Sequence, residues 1–230
     1  MCSSDLPSKV HVEVAKLAKE GYEFIMIGHK GHPEVEGTMG QLTEGIYLVE
    51  EVADVQHVRP RCDKLAVVTQ TTLSVDDAAQ ILAEVKRRFP QVRQPKQQDI
   101  CYATQNRQDA VNVMAPVVDV VIVVGSPTSS NSNRLRELAQ RLGAKSYMVD
   151  CAADLQRAWF PGACRVGLTA GASAPDVLVQ EVITRLREFG ALSIRRMDGV
   201  AENVHFPLPR GLGDRTMAGL PGSSAASSRS

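Results

Sequence analysis

Four side chains able to hold a metal, a phosphate or a proton crowd one short stretch. In GHKGHPEVEGT (28–38), His29, His32, Glu34 and Glu36 fall within eight residues. Imidazole titrates near neutrality, and a carboxyl in a dry site can carry a proton. Proton transfer, phosphate binding and metal ligation are therefore open, alongside a solvated polar loop. Zinc is the weaker of these, because no second ligand cluster of suitable spacing occurs elsewhere in the chain.

A second stretch, GSPTSSNSNRL (125–135), carries six hydroxyl or amide side chains between 128 and 133. One or two would suffice to cap a helix. The others remain as donors beside the positive end of a helix, which suits an anion, most often phosphate. An over-polar capped loop is the plain alternative. Cys101, in DICYATQNRQDAV (99–111), precedes a polar run and then a helix. A thiolate near a helix N-terminus forms readily and ligates soft metals, whereas a buried thiol elsewhere is a small hydrophobe. The five cysteines (2, 62, 101, 151 and 164) are odd in number and contain no C-x-x-C. Neither a disulfide framework nor a zinc knuckle is indicated, and Cys62, Cys151 and Cys164 carry no expected role.

These clusters need elements to position them. Each follows an apolar run of strand character: EFIMIGH (23–29), KLAVVTQ (64–70), DVVIVV (119–124) and CRVGLTAG (164–171). Helical spacing marks 9–20, 78–89, 134–143 and 172–190, with Ser74 and Asp77 placed as a capping box and Pro175 suited to a first turn. Apolar strands alternating with helices predict an α/β fold with parallel sheets. Ligands of such sheets bind beyond the carboxyl ends of the strands, where all four polar clusters fall.

With 230 residues and 43% apolar composition, the chain can bury ordinary cores in two modules. The 26 acids balance 26 bases, so no basic field for nucleic acid or anionic membrane exists. No apolar run reaches membrane-spanning length and the N-terminus lacks signal-peptide character, so a cytoplasmic location is expected. A polar, proline-containing linker (90–99) divides a module over 1–98 from one over 99–191. The stretch 192–230 is expected to be an extended segment with a Gly/Ser-rich disordered tail.

Taken in order, IGHKGHPEVEGTMGQ, TQTTLSVDD, DICYATQNRQ, GSPTSSNSNRL and GLTAGASAPD resemble the signature segments of the 4-hydroxy-3-methylbut-2-enyl diphosphate reductases, over about residues 8–206. The resemblance implies two similar modules of parallel sheet with flanking helices, the remainder of a pseudo-threefold, three-module enzyme. It implies a 4Fe-4S cluster held by three cysteines, of which Cys101 matches the last. Ser129, Ser130, Asn131, Ser173 and His32 match diphosphate-binding positions. Thr71 and Glu34 match the pair that supports proton delivery beside the substrate hydroxyl, so Thr71 also contacts substrate. The implied reaction reductively removes that hydroxyl to give isopentenyl and dimethylallyl diphosphate in the non-mevalonate isoprenoid pathway. Ferredoxin or flavodoxin is the implied kind of electron donor, with neither nucleic acid nor membrane as partner.

The chain also departs from the pattern. The first module is missing, with one cysteine and two histidines; Ser4 stands where the second cysteine belongs, and Cys2 is two residues out of register. The expectation is therefore that residues 1–230 alone hold no stable cluster and show no reductase activity. Two other readings remain: a phosphoryl-ligand-binding module without redox chemistry, in which Cys101 has no use, and the reading frame of a truncated gene.

Overall fold

In the computed structural model, residues 5–94, 100–162 and 164–197 are described. The chain opens on helix α1 (Asp5–Lys19), which stops before Gly21, whose φ of +81° suits a residue without a Cβ. Strand β1 (Glu23–Ile27), helix α2 (Pro33–Met39), strand β2 (Ile46–Val49), a 3₁₀ turn (Val52–His57), strand β3 (Leu65–Thr69) and helix α3 (Val75–Arg88) follow. The order then recurs. Helix α4 (Tyr102–Met114), strand β4 (Val120–Val124), helix α5 (Ser130–Arg141), strand β5 (Lys145–Val149), a 3₁₀ turn (Ala152–Asp154), strand β6 (Val166–Ala170) and helix α6 (Asp176–Glu188) repeat it.

Each set makes a three-stranded parallel sheet with its first strand in the centre, in the orders β2-β1-β3 and β5-β4-β6. The parallel α/β character expected from the sequence is thus observed. Edge strands β2 and β5 were not expected: β2 is only four residues long, and β5 opens on Lys145 and Ser146 and so shows no continuous apolar run. The repetition reaches single hydrogen bonds. After β2, the amides of Glu50 and Glu51 donate to Asp54 Oδ2; after β5, those of Asp150 and Cys151 donate to Asp154 Oδ2.

Both central strands are buried on both faces, as crossover helices require. Ile25 and Ile27 pack with Val67, Leu73, Ile81 and Val85, while Phe24 and Met26 pack with Val14, Leu17 and Val35. In the second sheet Val121 and Val123 face Val111, Leu135 and Leu138, while Val120, Ile122 and Val124 face Leu155 and Val182. Full burial of each such side chain contributes about 1.5–3 kcal/mol.

Several expected boundaries move. The helix expected from 78 starts at Val75, directly after Ser74, whose Oγ accepts from Asp77 N at 3.3 Å. The helix expected from 134 starts at Ser130, because Ser129 is its N-cap and the polar residues behind it form the first turn. The helix expected from 172 begins at Asp176, with a turn before it. The linker at 90–99 is not wholly free of structure: Arg93 N donates to Leu65 O and Val67 N donates to Arg93 O, so its start lies along β3. Both sheets lie in one compact unit, Met1–Val200. The expectation for 192–230 falls mostly outside the described residues, as do Cys2 and Ser4.

Candidate functional site

The loops that carry the polar clusters leave the carboxyl ends of β1, β3, β4 and β6. Their roots are alike in the two sheets: Gly28 N donates to Val49 O and Gly125 N to Val149 O, while Gln70 N donates to Ile27 O and Gly171 N to Val124 O. Glycine is needed where side chains press in. A Cβ on Gly28 would lie 2.6 Å from Val35 Cγ2, and one on Gly125 only 2.2 Å from Ser132 Oγ.

In the β1 loop, His32 is the N-cap of α2, and its Nδ1 accepts from Glu34 N at 3.2 Å. The ring hydrogen therefore sits on Nε2, which donates to Ser130 Oγ at 2.7 Å, joining the loops of the two sheets. Burial, and then the neighbouring His29, lower the His32 pKa and favour this neutral form. His29 is lowered as well, by burial first and by the Arg134 guanidinium second, against the opposing pull of Glu50. Its Nε2 accepts from Arg134 at 2.7 Å.

Glu34 reaches across to the β3 loop. Thr71 N donates to Glu34 Oε1 at 2.8 Å, and Thr71 Oγ1 donates to Glu34 Oε2 at 3.0 Å. Burial pushes the Glu34 pKa up; the two Thr71 bonds favour the charged form and pull it back, without cancelling the rise. Glu36 is exposed and serves its own loop, accepting from Gly31 N at 3.1 Å.

In the β4 loop, Ser129 Oγ accepts from both the amide (3.3 Å) and the hydroxyl (3.1 Å) of Ser132. The first turn of α5 contains no acid, so its positive end is uncompensated. Asn131, on that turn, is 6% exposed, yet neither Oδ1 nor Nδ2 has a partner. A buried amide left so costs about 1–3 kcal/mol. Ser173, in the turn before α6, is exposed.

Cys101 stands directly at the N-cap of α4, closer to the helix than expected, and is 4% exposed. Its amide donates to Thr71 O at 3.0 Å, so the Cys101 backbone is tied to the residue that binds Glu34. The first turn of α4 is also free of acids. Cys62, Cys101, Cys151 and Cys164 are free thiols. Among the described residues, no group of three or more His, Cys, Asp or Glu could hold a metal ion. A cubane needing three thiolates does not fit the described residues, whose four free thiols form no cluster.

The structure thus gathers His32 with Ser130, Glu34 with Thr71, and Thr71 with Cys101. No hydrogen bond links Ser173 to these candidates among the described residues. Sequence reasoning missed Gln70 and Ser132. Gln70 is 1% exposed at the end of β3, where Oε1 accepts from His29 N and Nε2 donates to Thr72 Oγ1. Ser132 fills the space over Gly125 and Gly171. A polar residue placed immediately after an apolar strand was the signal for Gln70.

Parallel α/β layers with convergent polar loops beyond the carboxyl ends of their strands define an α/β protein with a candidate ligand site at that edge. The chain belongs to the LytB protein family, whose sequence profile matches residues 5–187. It is 76% identical over 216 residues to the 4-hydroxy-3-methylbut-2-enyl diphosphate reductase of Methylibium petroleiphilum, covering 94% of this chain and 66% of that relative. It is 72% identical over 208 residues to the enzyme of the same name from a Polaromonas species, covering 90% of this chain and 62% of the relative. The solved structure of the E-1-hydroxy-2-methyl-but-2-enyl-4-diphosphate reductase of Plasmodium falciparum is similar with a TM-score of 0.80 at 36% identity, over 87% of this chain and 64% of that one. The chain therefore spans somewhat less than two thirds of the length of these relatives. Among the described residues no helix is long and apolar enough to cross a membrane.

Proposed function

We propose that this chain supplies two α/β modules, 1–98 and 99–191, of a three-module 4-hydroxy-3-methylbut-2-enyl diphosphate reductase, and that its loops bind the diphosphate and deliver a proton. The observation that carries the reading is Asn131: a buried carboxamide with no partner, on the acid-free first turn of α5, beside the His32–Ser130 link. An anion accepting from Asn131 Nδ2, Ser129, Ser130 and the α5 amides would satisfy donors that otherwise remain costly. Ser173 would close the same site from the β6 loop.

The reaction takes up two electrons and two protons, breaks the C–O bond of the substrate hydroxyl, forms one C–H bond and releases water. Thr71 N fixes Glu34 Oε1 as an acceptor, so a proton on Glu34 rests on Oε2, facing Thr71 Oγ1. Glu34 donates it to the Thr71 hydroxyl, which passes its own hydrogen toward the substrate. The raised pKa of Glu34 keeps that proton available nearer neutrality. Cys101 is proposed as one iron ligand of the family's cluster, with the other thiolates coming from outside the described residues. The small electron donor, such as ferredoxin or flavodoxin, and the cytoplasmic location belong to the same proposal; the free thiols fit a reducing compartment.

The test joins this chain to the N-terminal part of the 76% identical relative. Asn131→Ala in that protein should raise the substrate KM roughly tenfold or more, the effect of losing a hydrogen bond to a charged group. An unchanged KM, with unchanged affinity by calorimetry, overturns the diphosphate assignment. Retention of inorganic pyrophosphate binding without any reductase activity would favour a phosphoryl-binding module instead.

A further inference from the structure

We propose that Gln108 is a positioning residue, which holds the Thr71 loop against α4 so that Thr71 keeps both of its hydrogen bonds on Glu34. Gln108 projects from the middle of α4 and is 3% exposed. Its Oε1 accepts from Val75 N at 3.0 Å, and its Nε2 donates to Leu73 O at 2.8 Å. Val75 is the first residue of α3, whose amide has no acceptor within its own helix. Both ends of one side chain are thus spent on the backbone of a loop 33–35 residues away in sequence.

Position along the loop gives the arrangement its consequence. Cys101 N binds Thr71 O at one end of the segment, and Gln108 binds Leu73 and Val75 at the other. Thr71, Leu73 and Ser74 are buried between these anchors. From the same segment Thr71 sends its amide and its hydroxyl to Glu34. A shift of the loop by a fraction of an ångström would loosen two charge-assisted bonds at once, since such bonds depend steeply on distance and angle. Arg107, the neighbour of Gln108, ties α4 to the β6 end, with Nε donating to Ala170 O at 3.0 Å. The helix capped by Cys101 therefore sets the position of the proton-carrying loop.

The carboxyl titration of Glu34, followed by NMR in the full 230-residue chain with carbon-13-labelled glutamate, reads this role directly. Gln108→Met keeps the bulk and removes both bonds. It should raise the Glu34 midpoint by roughly half a unit to one unit, because the carboxylate loses hydrogen bonds that favour its charged form. Amide exchange at Val75 should quicken in parallel. Val111→Ala, buried one turn further along α4, supplies the control: it lowers stability and should leave the Glu34 titration in place. If Gln108→Met does not fold, Gln108→Asn, one methylene short of spanning both partners, should give the same direction of shift.

A Glu34 midpoint equal to that of the native chain in the folded variant overturns the proposal, even if Val75 exchanges faster, since Gln108 would then only cap α3. A shift matched by Val111→Ala overturns it too. The inference rests on Glu34 as the proton source for its functional meaning. An active Glu34→Gln enzyme would remove that meaning alone, whereas an unmoved titration would remove the positioning role alone.

Discussion

The loops above the two sheets begin from the same hydrogen-bond plan and end in opposite conditions. Gln70 and Gly171 hold equivalent places, each donating its amide to the last residue of the central strand. In the first sheet Gln70 fills the space beyond the strand ends and binds His29 and Thr72. Glu34, His32 and Thr71 then satisfy one another or reach Ser130. In the second sheet the glycine leaves room for Ser132, and the next residue back, Asn131, is buried with its amide unpaired. One pair of equivalent helix starts differs in the same sense: acids lie in the first turn of α2 and none in that of α5, whereas α3 and α6 both carry them. A closed network can hold a proton at a set place, whereas an open one holds unmet donors for an anion.

The largest effect that could break this contrast lies in the closed half. Glu34→Gln preserves the shape and can still pair with Thr71, by accepting from its amide and donating to its hydroxyl. In the protein completed with the relative's N-terminal part, turnover should fall about 10²–10⁴-fold with substrate affinity retained, as loss of a positioned proton donor implies. Steady-state kinetics separate kcat from KM and settle the point. A loss of folding in place of a loss of rate would make Glu34 structural.

Next in size is the crowding that separates the two sheets. Gly125→Ala places a Cβ 2.2 Å from Ser132 Oγ and 2.8 Å from its Cβ, and Ser132 is itself buried. A destabilisation of about 1–3 kcal/mol is expected from such overpacking, read as a lower urea midpoint. Asn131→Leu tests the open half from the other side. It removes an unsatisfied buried amide at similar volume, so the ligand-free chain should gain about 1 kcal/mol while pyrophosphate binding is lost. A variant less stable than the native chain would show that Asn131 is already satisfied without ligand.

The smallest effect is in pH. His29 and His32, both below the ordinary 6.5, bind fewer protons folded than unfolded, so stability is lost as pH falls from about 6.5 through their lowered values. Glu34 acts in the opposite sense: its stability contribution is present below about 4.5 and is lost as pH rises through its raised value. Removing the histidine contribution in a His29→Gln, His32→Gln double variant should therefore make the urea midpoint fall less, or rise more, toward acid than in the native chain. An unchanged slope in that variant would place the acid sensitivity elsewhere.

Local patterns alone specify β1, β3, β4 and β6, most of the helices and the polar loops behind them, because apolar runs, caps and turn glycines act over a few residues. The sequence also made Glu34, Thr71, Cys101 and the serines of 129–130 visible as a set, through long segments that match the LytB family over 5–187. Which of them meet depends on packing between distant segments. His32 finds Ser130 across 98 positions, Glu34 finds Thr71 across 37, and Gln108 finds Val75 across 33. The start of α5 was decided in the fold too: Ser129 takes the cap, so Asn131 turns inward on the first helical turn instead of lying in a loop. The physical reason is one of range. Helix and strand signals are short-range sums that any window of the chain contains. A side-chain hydrogen bond needs distance and angle fixed together, and those are set when two sheets and the helix between them pack.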